Sequence, residues 1–213
     1  MHVTLFGFVL FLHITVAIAA FMMAGIAHAG LPAMAKASDV REMRPWAAVL
    51  HRLDPLFPLA ALLLLGLGAW LVHLSGGEFA WKDGWVTTAV IALVVIEGFA
   101  GALLAPKAKA LTKAVKDAAD GPVPESLHQA AMEPRIWHIS HIATFGFAGV
   151  VFLMSAKPSG IWSAIIVVAG VAIGFALSTA QLRTIAAARA GTPVGDSGIP
   201  STRRPVDESV AEA

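Results

Sequence analysis

The chain has 213 residues, of which 57% are hydrophobic and 14% charged, and a mean hydropathy of +0.75. A soluble domain is about a quarter charged, so this composition excludes an ordinary water-solvated globule and points to lipid as the solvent. A net charge of +1 gives no reason to expect a nucleic-acid partner, and the absence of Cys excludes disulfides, thiolate metal sites and Cys-ligated iron–sulfur clusters.

A bilayer core takes about 20 mostly apolar residues per helix. Five stretches qualify, at about residues 3–29, 55–74, 85–105, 136–156 and 161–182. In the first, His13 is followed by Ala17, Ala20 and Ala24 on broadly one helical face. Small residues beneath a His suit a flat ligand such as a porphyrin, and equally suit tight helix packing, which the spacing alone favours. Ala27-His28-Ala29 before Gly30 has the form of a signal-peptidase site, but no Lys or Arg precedes the apolar run, which is too long for a signal core. A basic loop with Lys36, Arg41, Arg44 and Arg52 follows, and His51 precedes the second span.

The third span carries Glu97 near its middle. An ionisable group inside a bilayer is costly and is a functional hypothesis by default. Glu97 reads as a proton-carrying acid, as a partner for a His, or as a packing residue, with Gly98 and Gly101 allowing close helix approach. After Pro106, the stretch from Lys107 to Ala119 puts Ala108, Leu111, Val115 and Ala118 on one helical face. It reads as a basic helix on anionic headgroups or, more simply, as a solvated extension of the third span. Gly121-Pro122-Val123-Pro124 stops it, and a further helix from about Pro124, kinked at Pro134, leads into the fourth span.

His138 and His141, at i and i+3, open that span on one face. With His28 and His51 at similar depth, four imidazoles from three helices could converge, enough for a metal or for two axial haem ligands. His13 and His141 lie on opposite sides of the midplane, too far apart for one haem. Lys157-Pro158-Ser159-Gly160 is a turn into the fifth span, where Gly170 and Gly174 license close packing within the chain or in a homo-oligomer. Residues 186–213 read as a disordered cytoplasmic tail.

Lys and Arg set the orientation. Thirteen of them fall in the first loop, the third loop and the tail, against Lys82 and Lys157 on the other side. The N-terminus is then outside and the C-terminus cytoplasmic, with Trp81, Trp85 and Trp162 near the outer interface. A multi-pass protein of the plasma (inner) membrane is expected.

Phe11-Leu12-His13, Asp83-Gly84-Trp85-Val86, Ala105-Pro106-Lys107 and the run from Leu153 to Gly160 occur in an order that resembles a bacterial family of predicted integral membrane proteins, domain of unknown function 2269. The resemblance covers roughly the first three-quarters of the chain. Family members often carry adjacent glycines after the first-helix His, where this chain has Ala and Met, and the fifth span and tail look like additions. The resemblance implies a four-helix membrane core and no particular activity. A more distant likeness to copper-resistance and porphyrinogen-oxidase membrane proteins, which carry a Leu-His in an early helix, favours haem or metal at His13.

The expected fold is an all-α membrane bundle. Three functions stay open: a redox protein holding haem b or a metal through His13, His28, His51, His138 or His141; proton-coupled transport using Glu97; and a non-catalytic subunit or assembly factor of a larger membrane complex.

Overall fold

The computed structural model describes residues 4–190, and no strand occurs among them. Eight α-helices follow one another: α1 (Leu5–Lys36), α2 (Val40–Leu53), α3 (Leu56–Leu74), α4 (Gly84–Phe99), α5 (Ala105–Asp117), α6 (Glu125–Ala131), α7 (Pro134–Ala156) and α8 (Ile161–Ala190). Among the described residues five helical stretches are long and apolar enough to cross a membrane, and each overlaps one of the five expected spans. Their outer surfaces are apolar: Leu62, Met22, Val168 and Phe11 are 67%, 65%, 65% and 63% exposed. A coat of this kind is tolerable in lipid and not in water.

Local chemistry sets the breaks. The Thr4 hydroxyl accepts from Gly7 N (3.1 Å) and starts α1. Asp54-Pro55 separates α2 from α3. Pro106 cannot donate to the carbonyl four residues back. The chain accommodates it by widening into a π-helical turn over Ala100–Leu104, with Ala105 N–H reaching the Ala100 carbonyl. Pro134 is not a kink inside a longer helix. It opens α7 after a break at Met132 and Glu133, where its missing N–H costs nothing. Lys157 closes α7 in the left-handed conformation (φ 47°, ψ 49°).

α7 and α8 form the most extensive packing pair, α1 lies along α3, and α4 lies along α7. Contact between α3 and α4 is slight. At one end, here the base, α2, α5 and α6 fold over the bundle. Met34, Val40, Met43, Val115, Ala131 and Trp137 are fully buried there and form a continuous core with Leu111 and Ile185. The face expected on the Lys107–Ala119 helix is real, but its partner is α2 rather than lipid or water. Backbone bonds from Val40 N to Gly121 O (2.9 Å) and from Val123 N to Ser38 O (3.1 Å) tie the two basic loops together. Arg44 adds an ion pair to Asp120 and a bond to the Ala118 carbonyl (2.7 Å). The opposite end, here the mouth, has no such layer among the described residues.

Residues 186–190, expected in the tail, belong to α8. α8 runs on to Ala190 because Ile185 is anchored in the core of the base. The remainder of that tail lies outside the described residues.

Candidate functional site

Two regions collect the expected site residues. The first is a polar cluster where α1, α7 and α8 meet near the base. Gly170 and Gly174 bring α8 onto α7: a Cβ at Gly170 would overlap the Phe145 carbonyl oxygen, and one at Gly174 would lie 2.5 Å from the His141 carbonyl oxygen. Both glycines are therefore used inside the chain and not on an outer face. The same stripe continues through Ser178 to Gln181. Ser178 Oγ donates to the Phe175 carbonyl (2.8 Å) and so accepts from His138 Nδ1 (2.7 Å), while the His138 ring stacks on Phe175.

His141 Nδ1 donates to the Trp137 carbonyl (2.9 Å), and its Nε2 lies 2.9 Å from Gln181 Oε1. A neutral ring keeps both contacts when Gln181 turns its amide nitrogen inward; a protonated ring keeps both with the amide as it stands. His28 reaches the same place from α1. Thr144 Oγ1 donates to the Ser140 carbonyl (2.9 Å) and accepts from His28 Nε2 (2.9 Å). The His28 and His141 rings meet edge to face with centroids 4.3 Å apart.

The four-imidazole convergence is thus half realised. His28 and His141 touch. His138 turns to α8, and His51 is exposed on α2 beside Asp54 and Lys109. Two axial imidazoles must leave room for an iron between them at about 2 Å from each nitrogen. The edge-to-face contact leaves none, and His28 Nε2 and both His141 nitrogens are engaged; His28 Nδ1 is buried without a hydrogen-bond partner. Among the described residues no group of three or more potential ligands could hold a metal ion.

Glu97 lies on α4, partly exposed, and its side chain has no hydrogen-bond or ion-pair partner, His included, among the described residues. Gly98 and Gly101 have open space in front of them, so the close helix approach expected there does not occur within the chain.

The second region is at the mouth. The pair α1–α3 and the group α4–α7 part there and enclose a cavity of about 620 Å³. Its wall is overwhelmingly apolar, with Phe6, Phe21, Phe79, Trp85 and Phe147 among the lining residues. α8 contributes nothing to it. His13 is the imidazole on this wall. It is 7% exposed, and its Nδ1 is buried without a hydrogen-bond partner. Gly68 on α3 faces the ring, with room for a Cβ 3.4 Å from His13 Cε1. Lys157 stands at the rim. Gly68 and Lys157 were not expected as site residues. Gly68 carries no chemical signal, and Lys157 reads from the sequence as part of a turn, as an outer-side charge and as part of the family-like run, not as a ligand contact.

The family described as predicted integral membrane protein (DUF2269) matches residues 7–158. No curated protein and no solved structure matches the chain. The matched residues run from the first turn of α1 to the turn after α7, and so hold His13, Gly68, Lys157 and every cavity-lining residue except Phe6. On that match the chain belongs to the DUF2269 family of predicted integral membrane proteins, with α8 lying beyond the matched residues.

Proposed function

We propose that this protein binds a hydrophobic small molecule within the membrane, in the cavity at the mouth, with His13 as the ligand's polar contact. One observation carries the reading: a 620 Å³ apolar cavity whose wall holds a buried imidazole with an unpartnered Nδ1. Small-molecule sites occupy about 300–1,000 Å³ and combine apolar walls with a few placed polar groups. Water fills such a space poorly. At about 30 Å³ each, some twenty waters would face a wall with few polar atoms. Haem b is one ligand the reading covers, since His13 would supply a single axial nitrogen. The positive-inside charge pattern supports a mouth that faces the outer side of the membrane in this reading.

The test uses Gly68→Leu, which places an isobutyl group in the cavity while raising helix propensity. Protein purified in mild detergent is extracted with organic solvent, and its absorption spectrum is recorded before and after reduction. The wild type is expected to carry a stoichiometric hydrophobic compound that Gly68→Leu loses, and a Soret band would identify that compound as haem. A wild type that yields no compound, and whose tryptophan fluorescence a brominated fatty ester fails to quench, would remove the reading.

A second reading, proton-coupled transport, draws on the unpartnered Glu97 carboxyl three residues before a π-helical turn, a feature frequent at functional sites. It requires a pH-driven flux in liposomes that Glu97→Gln abolishes. An equal flux in the variant ends it.

A further inference from the structure

Lys157 is placed unusually for a lysine. It holds the left-handed C-cap position of α7, which Gly or Asn occupies with less strain. From there its ammonium lies 4.2 Å from the centre of the Phe79 ring and 5.9 Å from that of Trp85. These two rings meet edge to face (5.6 Å), and Phe6 packs on Phe79 (6.3 Å). The rim of the cavity is therefore an aromatic collar with a cation on it. A cation over ring faces keeps its charge available to an anion approaching from the other side.

Carboxylates of the described residues do not supply that anion. At the base, Arg41, Arg44, Lys107, Lys109, Lys113 and Arg135 each have an Asp or Glu within ion-pair distance. No carboxylate among the described residues lies that close to Lys157. Asp83, the acid nearest in the mouth loop by sequence to Trp85, is engaged through Oδ2 with Ala80 N (2.8 Å). Below the cation the wall is apolar, apart from Ser155, whose hydroxyl donates to the Val151 carbonyl (3.3 Å), down to His13, eight residues or about 12 Å along α1 from its start.

Resting on the cavity reading above, we propose that the ligand is an amphiphile with an anionic head group, a carboxylate or phosphate on a long apolar chain, whose head pairs with Lys157 and whose chain enters the cavity toward His13. A lysine that merely snorkels to the interface needs only water at its ammonium, and that difference is measurable.

Protein in a neutral detergent is titrated with 9,10-dibromostearate and with its methyl ester, and quenching of cavity tryptophan fluorescence is followed. The acid is expected to bind on the order of tenfold more tightly than the ester, as for one charge-assisted contact. In Lys157→Asn, which suits the left-handed backbone, the ratio falls to about one while ester binding persists; Lys157→Arg keeps the preference. Stronger quenching by dibrominated phosphatidylglycerol than by its phosphatidylcholine counterpart would identify a membrane lipid as the source of the head group. Quenching by the free acid alone would identify a free acid. Equal binding of acid and ester to the wild type, or an unchanged ratio in Lys157→Asn, overturns the proposal and leaves the cavity reading standing. Quenching by neither compound overturns the proposal, and removes the cavity reading as well when the wild type yields no extracted compound.

Discussion

Asp39 does two things at one corner of the base. Its Oδ1 accepts from Arg41 N (2.8 Å) and caps α2, and the same carboxylate pairs with the Arg41 guanidinium (Nε, 3.2 Å). Its backbone forms the bridge to Pro122 that ties the two loops together. The Arg41 guanidinium, and then the Arg41 amide, hold the Asp39 carboxyl below the usual carboxylate range. A carboxyl depressed on folding contributes fully above its unfolded pKa of about 3.9, and that contribution disappears as the pH falls through the lower folded value. Amide exchange at Val40 and Val123, corrected for intrinsic rate, should therefore quicken in acid. Asp39→Asn, an equivalent cap without the charge, should lessen that dependence while keeping protection at neutral pH. Asp39→Ala should lose protection at every pH. Protection unchanged in Asp39→Ala would contradict the capping role. At this scale the sequence is legible where depth and chemistry suffice. Residue type and spacing single out His13 as an imidazole above small residues, with helix packing favoured; its burial and the cavity beside it come from the structure. The meeting of His28 with His141 and the departure of His138 and His51 depend on how each helix is rotated about its axis, which residue spacing along one helix cannot supply. Thr144 and Gln181, the partners that engage the imidazoles, carry no signal until that rotation is known.

Helix against helix, the α7–α8 pair depends on backbone proximity. In lipid no hydrophobic effect draws helices together, so close packing and polar contacts must do so. Gly174→Ala pushes a methyl into the His141 carbonyl, which only a backbone shift can relieve. We expect a loss of roughly 1–3 kcal/mol, read as a lower unfolding temperature in detergent, together with loosening of His141 from Gln181. Gly25→Ala, where nothing lies within 4 Å, should be neutral or stabilising by up to about 1 kcal/mol. Equal effects of the two changes would contradict the packing account. The five spans were legible because a run of apolar residues is itself the cause of spanning. α2 was hidden in what reads as a charged loop. Its signals are present: Asp39 as cap, Glu42 accepting from Ser38 N (3.0 Å), and Val40, Met43 and Ala47 on one face. They become persuasive only with the α5 face that covers them.

The molecule as a whole is fastened at one end. α1 has 32 residues and is about 48 Å long, against a hydrocarbon core of about 30 Å. Its last turns therefore stand clear of the acyl chains, where α2, α5 and α6 enclose them. Cysteine pairs across the mouth, on α3 and α4, should accordingly cross-link over a wider range of reagent lengths than pairs across the base, on α2 and α5. Identical ranges would mean that the two halves are equally constrained. The layer of short helices also has a thermodynamic consequence. Its core is buried from water, whereas the spans are buried in lipid, so one chain is held together by two different solvents. Urea weakens apolar burial from water and has little access to the bilayer interior. Unfolding in a membrane should then proceed in two stages, with the base opening at moderate urea while the five spans stay helical. A single free energy of unfolding is not defined for such a chain.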